Sequence, residues 1–158
     1  MKTKTILISL GVATAFFLLS TKKAFANLVH NQGFRGCDGF GCGSFGASRG
    51  DRVHQGIDIP TVKGETIFSP ISGTVTRFPF PYGDDLRYTG IEIKNEIYSV
   101  KIFYLKATVP AGAIVKQGQA IATAQDIAAK YGSGMTNHIH LEVRQTPTGQ
   151  IIEPTNLF

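Results

Sequence analysis

Residues 137 to 143 read "NHIHLEV", and polar and apolar side chains alternate one by one from His138 on. A period of two belongs to a β-strand, so Ile139, Leu141 and Val143 share one face while His138, His140 and Glu142 share the other. Further short apolar, β-branched runs precede it: "GIDIP", "ETIFSPISGTVTRF", "GIEIK", "YSVKIFYL" and "AIVKQGQAIAT". Turn residues cut these runs at regular intervals, which predicts an all-β domain with hairpins at Ser72-Gly73 and Gln117-Gly118. Only "AQDIAAKYG" has helical composition, with Gly132 as its stop, and it predicts a helix of about two turns. The Pro-rich stretch "FPFPYGDDLRYTG" predicts a loop, and the pattern leaves open whether residues 78 to 88 shape a cleft or cross the surface.

The start of the chain follows another pattern. Lys2 and Lys4 precede an apolar run from Thr5 to about Leu19, and Ala24-Phe25-Ala26 follows it. This layout predicts a secretory signal peptide over residues 1 to 26. The run is shorter than the ~20 residues a spanning helix needs, so no stable membrane anchor is expected after processing. Secreted, periplasmic or extracellular residence follows.

That segment changes the charge picture. The full chain carries 16 basic and 11 acidic residues, but residues 1 to 26 hold four lysines and no acid. The remaining 12 basic and 11 acidic groups nearly balance and are scattered. A basic stripe for nucleic acid is therefore absent, and no nucleic-acid partner is expected. What remains is enough for one domain with a core, read as an irregular Gly-rich segment from 27 to 51 and an antiparallel β domain from 52 to 158.

Cys37 and Cys42 are the only cysteines. In an exported chain so close a pair predicts one disulfide around a small loop. A zinc half-site is the alternative, and it lacks the second thiol pair that would complete it. Arg49-Gly50-Asp51 matches an adhesion tripeptide, but three residues of this composition more simply predict a turn.

The candidate chemistry lies in two places. "VHQGIDIP" supplies His54 and Asp58, four residues apart, and Gly56 and Pro60 argue against a helix there. A loop entering a strand, with a bulge at Gly56, would bring the two together. With one of His138 or His140 they make two imidazoles and a carboxylate, the donor set of a catalytic zinc site that leaves a fourth position to water. Such a site predicts hydrolysis of a peptide or ester bond, with the second strand histidine, about 7 Å along the face, moving protons. Glu142 either orients a ligand histidine or pairs with a surface lysine.

"HQGID", "ETIFSPISGTVT", "AIVKQGQAIAT" and "HIHLEV", in this order, resemble the lysostaphin-type (LytM-like) zinc metallopeptidases. The resemblance covers roughly Arg52 to Val143. It implies the antiparallel sheet core of that family, one Zn2+ held by His54, Asp58 and His140, and His138 as a catalytic histidine. Its usual substrates are Gly-rich peptide cross-bridges of peptidoglycan. Where active members carry a second catalytic histidine in a Tyr-x-His-Leu segment, this chain has "IFYLK", so Tyr104 stands at that position. A phenol donates a hydrogen bond to an oxyanion but is no base at neutral pH.

"CDGFGCGSF", "VKIFYLK" and "GMTNHIH" are also similar to the leukocyte cell-derived chemotaxin group, secreted zinc proteins on the same fold. That resemblance implies a binding or signalling module with a protein partner and no peptidase activity. Two expectations therefore stand side by side: a weakened zinc peptidase, and a zinc-stabilised module that is catalytically silent. The oligomeric state is not readable from the sequence.

Overall fold

The computed structural model describes residues 23 to 158; all but the last few residues of the signal-peptide segment lie outside the described residues. In chain order the strands are β1 (Cys37–Asp38), β2 (Gly41–Cys42), β3 (Ile57–Pro60), β4 (Thr66–Phe68), β5 (Gly73–Arg77), β6 (Gly90–Lys94), β7 (Tyr98–Phe103), β8 (Leu105–Ala107), β9 (Ile114–Val115) and β10 (Ala120–Ala124). A single helical turn, α1 (Ala128–Tyr131), precedes β11 (His138–Gln145) and β12 (Ile151–Ile152). A 3-10 turn at Thr155–Leu157 ends the chain.

Every strand pairing is antiparallel, so the all-β expectation with one short helix describes the protein. The larger sheet runs β12-β11-β7-β6-β5-β9, and β3 pairs with the first half of β11. The smaller sheet runs β4-β10-β8, and β1 with β2 makes a separate ribbon. Ile57, Ile59, Ile91, Ile93, Val100, Ile102, Ile139, Leu141 and Val143 of the large sheet are essentially inaccessible to solvent, as are Ile67, Leu105 and Ile121 of the small one. These residues form one cluster, and each buried side chain of this size contributes about 1.5 to 3 kcal/mol. The core thus fixes β11 by its apolar face and leaves the histidine face looking outward.

Three readings of the pattern need correction. The turns at Ser72-Gly73 and Gln117-Gly118 do not close hairpins: β4 pairs with β10 and β5 with β6 and β9. Both turns carry the chain from one sheet to the other, a change of partner that local composition does not encode. The run "YSVKIFYL" is likewise two strands. It breaks at Tyr104, whose φ of 65° is the only positive value among the described non-glycine residues, and the chain there leaves the large sheet for the small one. Finally, α1 is one turn rather than two. The Asn137 side chain accepts from the backbone N–H of Ile127 and of Ala128, which starts the turn, and Gly132 at φ 104° ends it.

Other readings hold. Cys37 and Cys42 are disulfide-bonded. Arg49-Gly50-Asp51 lies in a turn, with the Arg49 N–H donating to the carbonyl of Arg52 at 2.8 Å and Gly50 at φ 77°. The loop expected over residues 78 to 88 carries no strand or helix.

Candidate metal centre

β3 and β11 are antiparallel neighbours, with Asp58 opposite His140 and Ile59 opposite Ile139. His54 reaches the same place from the loop before β3. No bulge is needed at Gly56; the chain simply passes so close to β11 that a Cβ there would lie 2.1 Å from the Leu141 carbonyl oxygen and 2.9 Å from the His140 ring. Only glycine permits that approach.

The outcome is a triangle of donor atoms. His54 Nε2 lies 2.9 Å from His140 Nδ1 and 3.2 Å from Asp58 Oδ1, and the latter two are 2.9 Å apart. His54 Nδ1 faces the Ser44 carbonyl at 2.8 Å, which makes it the N–H and leaves Nε2 a lone pair. His140 Nε2 faces Glu142 Oε1 at 3.4 Å, which assigns its proton there and leaves Nδ1 a lone pair. Three lone pairs thus converge on one point beside a buried carboxylate, an arrangement that a cation satisfies. Tetrahedral zinc with bonds of about 2.0 to 2.1 Å sets its ligands about 3.3 Å apart, close to these separations. His54, Asp58 and His140 could accordingly hold one metal ion.

His138 stands beside this triangle. Its Nδ1 donates to the Thr136 carbonyl at 2.7 Å, and its Nε2 lies 3.7 Å from Asp58 Oδ2. Burial pushes its pKa down, which favours the neutral ring. Asp58 shows the reverse balance: burial would raise its pKa, but the imidazole rings of His140, His54 and His138 around it hold it well below the usual carboxylate range. The Tyr104 ring meets the His138 ring edge to face, 5.5 Å between centres. Burial raises the Tyr104 pKa, so the phenol keeps its proton. Its backbone is held in the left-handed region by the Thr89 carbonyl, which accepts from the N–H of Tyr104 and of Leu105.

These residues line a cleft of ≈ 410 Å³, closed on its rim by Phe40, Phe80, Tyr82, Tyr131 and Met135. Tyr82 resolves the question about its loop, because it brings a hydroxyl to the cleft. The Tyr82 hydroxyl donates to that of Tyr104 at 3.2 Å, and Tyr131 lies 3.0 Å away on the other side. Sequence reasoning missed Tyr82 and two arginines, Arg35 and Arg49. Arg35 donates to Asp58 Oδ2 at 2.9 Å, and Arg49 Nη2 lies 3.9 Å from the same oxygen. Both come from the Gly-rich segment, which has no periodicity from which a facing direction could be read.

An antiparallel two-sheet domain with a His-Asp-His donor set at the edge of β11 defines a metallopeptidase-type module. The protein belongs to peptidase family M23, whose family model matches residues 52–154. M23 enzymes are zinc peptidases. Among curated relatives it is similar to leukocyte cell-derived chemotaxin-2 of Bos taurus, 33% identical over 68% of this chain and 71% of that one. The Mus musculus protein of the same name is 30% identical over 87% of this chain and 90% of its own. Among solved structures, a zinc-containing peptidase from Vibrio cholerae superposes with a TM-score of 0.54 at 28% identity, covering 82% of this chain and 38% of that one.

Proposed function

We propose that this protein is an exported zinc metallopeptidase that cleaves small-residue, Gly-rich peptide bonds of the peptidoglycan type, with activity lowered by Tyr104. The observation that carries the reading is the triangle of His54, Asp58 and His140 lone pairs opening onto a cleft. When bound there, zinc supplies a Lewis acid and brings the pKa of a water to ~7. His138 Nε2, a lone pair because Nδ1 is committed to Thr136, takes the proton from the attacking water and returns it to the leaving amine. The Tyr104 hydroxyl accepts from Tyr82, so its own proton is free to meet a developing oxyanion. His54, Asp58 and His140 hold position because β3 and β11 are fastened to the core behind them.

The decisive assay is hydrolysis of pentaglycine and of intact peptidoglycan with and without a chelator. Turnover that the chelator abolishes is the expected result. In the same assay Tyr104→His supplies an imidazole where a phenol stands and is expected to raise turnover by roughly 10²- to 10⁴-fold. No response to that change would refute the placement of Tyr104 in the chemistry.

One observation favours a second reading. The Tyr104 side chain is tied to Tyr82 and packed on His138, so the position beside His138 offers a phenol and no base. A silent, zinc-stabilised binding or signalling module with a protein partner, like the chemotaxin relatives, follows if neither wild type nor Tyr104→His turns over any Gly-rich peptide.

A further inference from the structure

We propose that Arg35 and Asp38 are positioning residues for the metal centre, Arg35 holding the Asp58 carboxylate with Oδ1 toward the two histidines and Asp38 holding Arg35. The inference rests on the metal-binding reading of that triangle. Arg35 is almost wholly buried, with 3% of its side chain exposed, in a segment without regular structure. A guanidinium in such a place requires partners for its donors. Nη1 donates to Asp58 Oδ2 at 2.9 Å, Nε to Asp38 Oδ2 at 3.0 Å, and Nη2 to Asp38 Oδ1 and to the Gly41 carbonyl. The backbone repeats the link, because the Arg35 N–H donates to the Asp58 carbonyl at 2.8 Å.

This grip distinguishes the two oxygens of Asp58. Oδ2 is occupied by Arg35, and Oδ1 alone faces His54 Nε2 and His140 Nδ1. A carboxylate free to rotate would present either oxygen or both; the Nη1 donor of Arg35, its guanidinium held by the fork on Asp38, selects one. Asp38 in turn is fixed from two sides. It sits on the β1–β2 ribbon closed by the disulfide, and its oxygens accept from the N–H of Phe40 and of Thr136. Thr136 is the residue whose carbonyl receives His138 Nδ1. One aspartate in the disulfide ribbon therefore orients, through one step each, the metal-facing carboxylate and the neighbouring histidine. Space is set to match: a Cβ on Gly43 would lie 2.7 Å from the Arg35 Cβ and 3.0 Å from the Asp58 Cβ.

The test is the zinc affinity of the full protein, measured by competition with a chromogenic chelator. Arg35→Met is expected to weaken zinc binding by roughly 10- to 100-fold, the usual loss when a partner of a metal ligand is removed. In an Asp58→Asn background the same change should cost less than about threefold, because Arg35 acts through that carboxylate. An equal loss in both backgrounds, or no loss in either, overturns the proposal and makes Arg35 a purely structural ion pair. Asp38→Asn, which leaves the buried cation in place, is expected to weaken zinc in the same direction and to change the visible ligand-field spectrum of the cobalt(II)-loaded protein. Wild-type affinity and spectrum in Asp38→Asn would overturn the role given to Asp38. Absence of zinc binding by the wild type would instead overturn the metal reading itself, together with this one.

Discussion

Asp38 is a partly buried acid whose charge is fixed by its neighbours. The hydrogen bond from Arg35, and those from the backbone of Thr136 and Phe40, hold its pKa far below the ordinary carboxylate value. Its folded pKa is lower than its unfolded one, near 3.9, so the stabilisation is fully present above about pH 5 and is lost as pH falls through 4 toward the folded value. Chemical denaturation of metal-free protein should therefore show wild type and Asp38→Asn furthest apart at pH 7 and converging toward pH 3. A gap constant across that range would contradict the assignment. None of this was legible beforehand: Asp38 and Arg35 lie three residues apart in a Gly-rich stretch, where the strand period that exposed His138 and His140 does not exist.

At the scale of elements, the centre depends on how closely the loop before β3 crosses β11. The sequence places His54, Asp58 and the histidines on two separate segments, and the alternation in "HIHLEV" gives the facing of the second. Pairing register does the rest, setting Asp58 opposite His140. Gly56 is the residue that register requires. Gly56→Ala drives a methyl into the Leu141 carbonyl, so a loss at or above the ~1 to 3 kcal/mol of ordinary overpacking is expected, with weaker zinc binding. Urea denaturation and chelator competition on the same preparation check both; an unchanged midpoint would mean that the two strands are further apart than described. Tyr104 shows the opposite limit of sequence reading. "YSVKIFYL" looks like one strand, and only the sheet change at Tyr104, at an expense of about 1 to 3 kcal/mol in backbone strain, turns that phenol toward His138.

For the whole molecule, the metal would join segments that are 86 residues apart in sequence, from His54 to His140. Zinc bound only by the folded state adds about 2.7 kcal/mol when free zinc is 100 times the dissociation constant. For a domain of this size that corresponds to a rise in unfolding temperature on the order of 8 °C. Thermal melts with zinc and with excess chelator should differ by about that amount, and coincident melts would count against a site built from both segments. The described residues contain no helix long and apolar enough to cross a membrane.

The sequence alone determined the all-β class, the disulfide, the apolar face of β11 and the residue types of the centre, because each depends on local composition or on a period of two. The tertiary structure alone decided which strands pair, that the Ser72-Gly73 and Gln117-Gly118 turns join different sheets, and that Arg35, Arg49 and Tyr82 reach the cleft. Those outcomes depend on contacts between residues far apart in the chain, and a buried guanidinium or a turned phenol leaves no repeat in the sequence to mark where it points.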